Sequence, residues 1–157
     1  MKIVLLVVGK TVEAWLKSGI DDYVSRLGHF VPFEMQVIPD LKNTKSMDTA
    51  TQKQKEGELI LKSLQPGDHV VLLDDKGAQY SSEELSVWVD KKSMQTGKRL
   101  VFIIGGPYGF SKDVYAKANE KLSLSKMTFS HQMVRLIFVE QLYRAYTILK
   151  GIPYHHI

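Results

Sequence analysis

The sequence predicts an α/β protein in which a mostly parallel β-sheet is covered by helices on both faces. Short apolar segments alternate with longer amphipathic segments, the apolar segments are mostly continuous, and 44% of the 157 residues are hydrophobic. Continuous apolar strands are typical of parallel sheets, because both faces of such a sheet are buried. The intervening helices provide the crossover connections that parallel strands need. Since no repeat, linker or low-complexity tract interrupts the pattern, residues 1–157 are predicted to form a single domain.

The amino-terminal segment predicts a strand followed by a helix. Residues 2–8 form an apolar run after a single lysine. We interpret this run as a buried strand and not as a signal peptide, because it lacks a small-residue cleavage site and leads directly into a polar helical pattern. Residues 12–27 repeat apolar side chains at intervals of three and four, which predicts an amphipathic helix that Gly28 can end.

A second strand and a second helix follow. Residues 33–38 alternate between apolar and polar side chains, as a half-buried strand does. Residues 40–50 are polar and mixed in charge, and we expect an exposed loop there. The loop leads into a helix at about residues 51–64, and Pro66-Gly67 closes that helix.

The middle of the chain repeats the order of strand and helix. Residues 69–73 predict a buried strand that ends at Asp74-Asp75-Lys76-Gly77. Ser81 lies shortly before two glutamates, which is an N-cap signal for a helix that extends to about residue 95. Residues 100–104 are again continuously apolar and predict a fourth strand.

The last third of the chain contains a glycine-rich turn, a short strand and a long helix. The turn, Gly105-Gly106-Pro107-Tyr108-Gly109, follows the fourth strand, and Ser111 is a candidate N-cap for a helix to about residue 118. Residues 122–124 predict a short strand. A long helix is expected at about residues 131–149, because a glycine and a proline follow it.

Three of the predicted strands end in segments that suit ligand binding. In open parallel sheets, ligands bind beyond the carboxyl ends of the strands. The candidate edge consists of Leu73–Asp75, Gly105–Gly109 and Leu124–Phe129, which are distant in sequence but can converge in space. The glycine segment is neither a dinucleotide-binding G-x-G-x-x-G pattern nor a Walker A loop, and Pro107 removes one amide donor. A tight turn without a ligand is the alternative for that segment.

Several residue types limit the possible chemistry. The chain has no cysteine, which excludes disulfides, a cysteine nucleophile and thiolate metal sites. Asp74 and Asp75 could act as paired carboxylates, although a polar strand end with one capping aspartate is the simpler interpretation. His155-His156 could bind a metal, but adjacent side chains usually point apart, and metal binding is not indicated without further clusters of ligands.

The positive charge is concentrated near the carboxyl end. The net charge is +4, and residues 121–157 contain five lysines and arginines against one glutamate, which accounts for the whole excess. A local basic surface attracts phosphate backbones. The distribution therefore favours a nucleic-acid partner, and a solvated basic face without a partner is the alternative.

Several segments together resemble one known family, and their order and spacing make the resemblance specific. It extends over essentially the whole chain, and its segments are Val8-Gly9-Lys10, Leu72-Leu73-Asp74, Ile104 to Gly109, Leu122 to Thr128, His131 to Arg135, Glu140 to Ala145 and Pro153-Tyr154-His155. The chain resembles the bacterial methyltransferases that modify N3 of a pseudouridine in large-subunit (23S) ribosomal RNA. That family belongs to the SPOUT superfamily of knotted methyltransferases.

The resemblance implies a fold, a cofactor and partners. It implies a C-terminal trefoil knot, which general topology rules would not predict. It implies a homodimer that acts on ribosomal RNA within the ribosome or its large subunit. The residues themselves lead us to expect a cytoplasmic protein that binds neither a metal nor a membrane, because the chain has no cysteine, no further cluster of metal ligands and no apolar run of the length needed to cross a bilayer. It also implies an S-adenosylmethionine pocket formed by Leu73, Gly105, Leu124, Ser125, Lys126, Met127, Thr128 and Phe129.

The resemblance further suggests candidates for the substrate side. The acceptor N3 carries a proton and is a poor nucleophile until that proton leaves, so a general base is expected. His155 is the candidate base because histidine titrates near neutral pH, and Tyr154 is a candidate for stacking on the target base or hydrogen bonding to it. Arg135 and Arg144 are candidates for phosphate or base-edge contacts. An ion pair with Glu140, four residues earlier, is the alternative role for Arg144.

Three other functions fit parts of the pattern. A non-catalytic ribosome-associated RNA-binding protein would need the basic C-terminal third but no cofactor. A transfer-RNA methyltransferase of the same superfamily would act on a different RNA. A small-molecule enzyme of phosphate or nucleotide chemistry is disfavoured, because the Walker A and G-x-G-x-x-G patterns are absent.

Overall fold

The computed structural model describes residues 1–156 and contains five strands and five α-helices. The strands are β1 (Lys2–Val8), β2 (Phe33–Ile38), β3 (His69–Gln79), β4 (Arg99–Ile104) and β5 (Glu120–Ser123). The helices are α1 (Ala14–Leu27), α2 (Thr49–Lys62), α3 (Ser82–Gln95), α4 (Lys112–Lys117) and α5 (Met133–Lys150), with a 3₁₀ turn at Thr44–Ser46. None of these helices is long and apolar enough to span a membrane.

All five strands form one parallel sheet in the order β2-β1-β4-β3-β5. The central strands β1 and β4 are buried along almost their whole length, which is the reason for their continuous apolar sequences. The prediction of a parallel α/β sheet is therefore confirmed. Because the strands are parallel, the carboxyl ends of β3, β4 and β5 lie at one edge.

Helices cover both faces of the sheet, as the sequence predicted. Alternate residues of β1 face opposite sides, since successive side chains of a strand point in opposite directions. Ile3, Leu5 and Val7 belong to a core with the apolar residues of α1, α3 and α5. Val4, Leu6 and Val8 belong to a second core with residues of α2 and α4, including Ile60 and Val114.

The predicted boundaries of β1 and β2 agree with the structure, but β3 continues past its predicted end. Its pairing with β5 shifts register between Leu73 and Ala78, so the intervening turn is a bulge and the strand resumes to Gln79. A Cβ atom at Gly77 would lie 2.6–2.7 Å from the backbone of Lys121 and Leu122. The glycine thus allows the two strands to stay paired beyond the bulge.

Several further boundaries differ by about two residues from the prediction, including the start of α1 at Ala14 and the end of α2 at Lys62. α2 begins earlier, at Thr49, because the Asp48 carboxylate accepts the amide N–H of Thr51 at 2.7 Å and caps the helix. β5 also begins earlier, at Glu120, and α5 begins later, at Met133. The N-caps Ser81 and Ser111 are found as predicted, since their hydroxyls accept amide N–H groups of α3 and α4.

Candidate active site

A cavity of about 360 Å³ opens at the carboxyl ends of β3, β4 and β5. It lies where the three segments chosen from the sequence converge. Its lining residues are Leu73, Asp74, Asp75, Ile104, Gly105, Gly106, Pro107, Gly109, Phe110, Tyr115, Leu122, Leu124, Ser125, Met127, Thr128, Phe129, His131 and Val134. The parallel sheet order produces this convergence, because β3 is hydrogen-bonded to both β4 and β5.

Seven of the eight residues implied for the cofactor pocket line this cavity: Leu73, Gly105, Leu124, Ser125, Met127, Thr128 and Phe129. The exception is Lys126, whose exposed side chain is not part of the lining. The sequence pattern did not assign Phe110, Tyr115 or Val134 to a pocket. Tyr115 lies on α4, and no spacing pattern in the sequence indicates that this helix lies beside the strand ends.

The glycine-rich segment is a compact turn that forms one wall of the cavity. Gly109 has φ +82°, a conformation that favours glycine, and its amide donates to the Gly106 carbonyl at 3.2 Å. A Cβ atom at Gly105 would lie 3.1–3.4 Å from the ring of Phe110, which is itself a lining residue. A larger side chain at Gly105 would therefore displace a wall of the cavity.

Serine hydroxyls shape the opposite wall, between β5 and α5. The Ser123 hydroxyl donates to the carbonyl of Ser125 at 2.9 Å, and the Ser125 hydroxyl accepts the amide of Met127 at 2.9 Å. Met127 has 76% of its surface exposed although it lines the cavity. These local bonds explain why hydroxyl and apolar residues alternate here: the hydroxyls satisfy the backbone, and Leu124 and Phe129 contribute apolar surface to the cavity.

The charged groups that line the cavity are acidic. Burial would raise the pKa of Asp74, but hydrogen bonds from Tyr115 and the Lys76 amide outweigh it and lower that pKa, so Asp74 is ionised at neutral pH. Burial and the bond to Asp74 raise the pKa of Tyr115 to about 12, which keeps its hydroxyl a donor. Burial, with the nearby Arg135, lowers the pKa of His131 and favours the neutral ring.

No lysine or arginine is among the cavity-lining residues of the described chain. Asp74 and Asp75 are its carboxylates, so the cavity favours a ligand with positive charge and disfavours a phosphate. This charge pattern counts against phosphate or nucleotide chemistry, in agreement with the absent phosphate-binding motifs.

Arg135 does not reach the surface, contrary to the role suggested for it from the sequence. It is fully buried, and its guanidinium donates to the carbonyls of Val8 and Gly9 at 2.8 Å and of His131 at 3.1 Å. A further bond reaches the Thr11 hydroxyl at 3.2 Å. In this structure Arg135 joins the end of β1 to the start of α5 and is not available for contact with RNA.

The other three substrate-side candidates form one cluster against the middle of α5. The Arg144 guanidinium donates to Glu140 at 2.6 Å and to Nδ1 of His155 at 3.0 Å, and Nε2 of His155 lies 2.9 Å from Glu83. The Tyr154 hydroxyl donates to Glu140 at 2.9 Å, and Arg144 lies over the Tyr154 ring. The tail is therefore docked up to His155, and the predicted ion pair of Arg144 with Glu140 is present.

The tail cluster and the cavity are separate in a single chain. Neither Arg144, Tyr154 nor His155 is among the residues that line the cavity. The basic excess of the last 37 residues is also dispersed: Arg135 is buried and Arg144 is paired, so it does not form one exposed patch.

Comparisons with known proteins agree with this architecture. The chain matches, over residues 1–155, the model of a family described as predicted SPOUT methyltransferase. It is 60% identical over 156 residues to a protein of Parabacteroides distasonis and 63% identical over 156 residues to one of Bacteroides fragilis, each covering 99% of both chains; both are named ribosomal RNA large subunit methyltransferase H.

Among solved structures, the chain is similar to a probable methylase family protein from Haemophilus influenzae Rd KW20. The TM-score is 0.53 at 11% sequence identity, covering 99% of this chain and 70% of the other, which supports the fold alone. The match of the family model and the high identity to the two relatives over nearly their full length lead to one conclusion. The chain belongs to the SPOUT methyltransferase family.

Proposed function

We propose that this protein transfers a methyl group from S-adenosylmethionine to N3 of a pseudouridine in large-subunit (23S) ribosomal RNA. The two relatives named above support a ribosomal RNA substrate by their names. The main structural support for the proposal is the cavity, where three strand ends that are distant in sequence meet around two carboxylates. Its setting is the ribosome or its large subunit in the cytoplasm.

The cavity fits the cofactor in charge and in shape. S-adenosylmethionine carries a sulfonium and an ammonium group against one carboxylate, and the acidic residues Asp74 and Asp75 line the cavity. Leu124 and Phe129 supply apolar surface, and Gly105 lets the backbone come close to a ligand. When bound, the cofactor supplies an activated methyl group, so the protein itself need not create the electrophile.

The proton on N3 of the target base remains for the protein to remove. His155 is our candidate, and its contacts define its starting state. Because arginine can only donate, the bond from Arg144 requires an unprotonated Nδ1, so Nε2 carries the hydrogen and donates to Glu83. For His155 to accept a proton, its Nδ1 must first lose the hydrogen bond from Arg144. We expect the approaching RNA to displace the Arg144 guanidinium from Nδ1.

We further propose that the protein works as a homodimer in which the tail of one protomer completes the cavity of the other. The support is the separation described above: the tail cluster holds Tyr154, His155 and Arg144, while the cavity lies at the strand ends. A second copy would also cover exposed apolar side chains such as Trp15 and Met127, which are 61% and 76% exposed.

A methyl-transfer assay tests the proposed function. The purified protein and labelled S-adenosylmethionine are incubated with large subunits or ribosomes that lack the modification, and the labelled nucleotide is then mapped. We expect one labelled pseudouridine in 23S RNA. At a cofactor concentration below the wild-type dissociation constant, we expect about tenfold less label, or lower still, with the variant Gly105→Val. Label on transfer RNA instead, or binding to ribosomes without cofactor binding, would support the alternative functions and contradict the proposal.

A further inference from the structure

Glu56 on α2 has an unusual environment behind the glycine-rich wall of the cavity. The residue is 5% exposed, and its Oε1 is the single buried side-chain oxygen or nitrogen in the described chain without a hydrogen-bond partner. Its Oε2 has only a long contact of 3.4 Å with the amide of Gln52. Buried carboxyl oxygens are normally satisfied, so one that is not calls for an explanation.

The carboxyl group lies directly against Gly106. A Cβ atom at Gly106 would be 2.5 Å from Oε1 and 3.1 Å from the carboxyl carbon. Gly106 also lines the cavity, so this glycine lies between the carboxyl group and the cavity. A side chain at this position would overlap the carboxyl group unless the Glu56 side chain moved.

The protein provides no cation for this carboxyl group. Glu56 takes part in none of the ion pairs of the described chain. Burial raises its pKa, and the neighbouring carboxylate of Asp40 raises it further. Ionisation of Glu56 therefore costs more in the protein alone than it does in water, and a positive charge in the cavity would offset that cost.

We propose that Glu56 is a specificity-determining residue that makes the cavity prefer the cationic methyl donor over the neutral thioether product. This inference rests on the proposed function. S-adenosylmethionine and S-adenosylhomocysteine differ by the methyl group and the charge on sulfur, so a buried carboxylate behind Gly106 distinguishes them by charge. Asp74 and Asp75 add to the same field, but they contact solvent and are more strongly screened. Loss of the sulfonium charge after transfer would then favour release of the product.

The competing explanation is that Glu56 only fills space beside Gly106. The variant Glu56→Gln separates the two, because it keeps the shape and removes the charge. Glu58→Gln is the matched control, since Glu58 lies on the same helix and is exposed. Calorimetry gives the dissociation constants of S-adenosylmethionine and S-adenosylhomocysteine for the wild type and each variant, without any turnover.

We expect Glu56→Gln to weaken S-adenosylmethionine binding about tenfold and S-adenosylhomocysteine binding by less than about twofold. Glu58→Gln should leave both constants unchanged. An equal loss for both ligands, or no loss for either, would overturn the inference. If Glu56→Gln is poorly folded, Glu56→Met removes the charge with an apolar side chain of similar length, and the same shift in the ratio of the two constants is expected.

The same measurements distinguish a failure of this inference from a failure of the proposed function. If the wild type binds neither ligand, the proposed function fails. If the wild type binds S-adenosylmethionine and the ratio is unchanged in Glu56→Gln, only the assignment of Glu56 fails.

Discussion

Arg135 is the largest fully buried side chain of the described residues, and its partners are backbone carbonyls rather than carboxylates. Burial lowers the pKa of its guanidinium. Two of those carbonyls, on Val8 and Gly9, lie more than 120 residues away in sequence. Carbonyl acceptors cannot be recognised from a sequence pattern, and the resemblance suggested Arg135 as a candidate for phosphate or base-edge contacts. Its observed contacts assign it a structural role beside the cavity.

The first prediction concerns the stability that Arg135 provides. Replacing it by methionine leaves the carbonyls of Val8, Gly9 and His131 without their donor. We expect the free energy of unfolding to fall by about 2–4 kcal/mol in urea titrations. Lys150→Met, at an exposed position, is the control and should change it by less than about 0.5 kcal/mol. Equal stability of Arg135→Met and wild type would contradict the structural role.

The second prediction concerns Gly105, whose Cβ would press on Phe110. Gly105→Val should weaken S-adenosylmethionine binding by about tenfold or more, because overpacking of this kind typically costs 1–3 kcal/mol. Calorimetry measures the affinity. Gly97→Val is a suitable control, since a Cβ at Gly97 meets no atom within 4 Å. Undiminished affinity of Gly105→Val would place the cofactor elsewhere.

At the scale of secondary-structure elements, the edge strand β5 is held by Glu120 at its first residue. The carboxylate accepts from Lys92 at 2.6 Å and from Trp88 at 3.3 Å, both on α3, and contacts Nε2 of His69 on β3. Burial would raise the pKa of Glu120, but the bonds from Lys92 and His69 outweigh it and lower that pKa. These contacts connect β5, one side of the cavity, to β3 and α3.

The third prediction is the pH dependence of this contribution. A carboxylate with a lowered pKa in the folded state stabilises the protein above the pKa of the unfolded state, and the contribution is lost as the pH falls through the folded value. Glu120→Gln should therefore reduce the free energy of unfolding by about 1–3 kcal/mol at pH 7. The difference from wild type should shrink as the pH falls below the ordinary value of 4.5.

Urea titrations of wild type and Glu120→Gln at several pH values between 7 and 3.5 measure this difference. Glu58→Gln serves again as the exposed control. A difference that is independent of pH would mean that Glu120 contributes by packing and not by its charge.

The boundaries of the elements show where local sequence was sufficient. The bounds of β1 and β2 and the caps of α3 and α4 were predicted correctly, because burial and capping are encoded within a few residues. The bulge in β3 was not predicted, since the continuation to Gln79 depends on pairing with β5, more than 40 residues later. A polar turn followed by further strand looks like a strand end when the partner strand is unknown.

At the scale of the whole molecule, the parallel sheet gathers three distant segments at one cavity but leaves the tail cluster outside it. In the proposed homodimer, the tail cluster of one protomer would lie beside the cavity of the other. The trefoil knot stays a prediction from the resemblance, and the single domain stays a prediction from the uninterrupted sequence pattern. We expect RNA recognition by the C-terminal third to need the proposed dimer, because two of its arginines are engaged within the protomer.

The fourth prediction tests the shared site by complementation. His155→Ala should lower methyl transfer by about 10²–10⁴-fold with nearly unchanged cofactor affinity. At a cofactor concentration below the wild-type dissociation constant, Gly105→Val should lower it by about tenfold or more. A heterodimer of the two variants, purified by different tags, has one intact shared site and should show roughly half of the wild-type activity. Heterodimers no more active than the Gly105→Val homodimer would mean that each tail serves the cavity of its own chain.

The sequence by itself determined the fold class, the order of the elements and the three strand-end segments. Periodicity and capping are encoded within a few neighbouring residues, and in any parallel sheet the carboxyl ends of the strands lie at the same edge. Only the tertiary structure decided that Arg135 is buried, that Glu56 lies unpaired behind Gly106 and that the tail docks away from the cavity. Those outcomes depend on contacts between residues far apart in the chain. Burial and charge compensation are set by such contacts, and no stretch of sequence contains them.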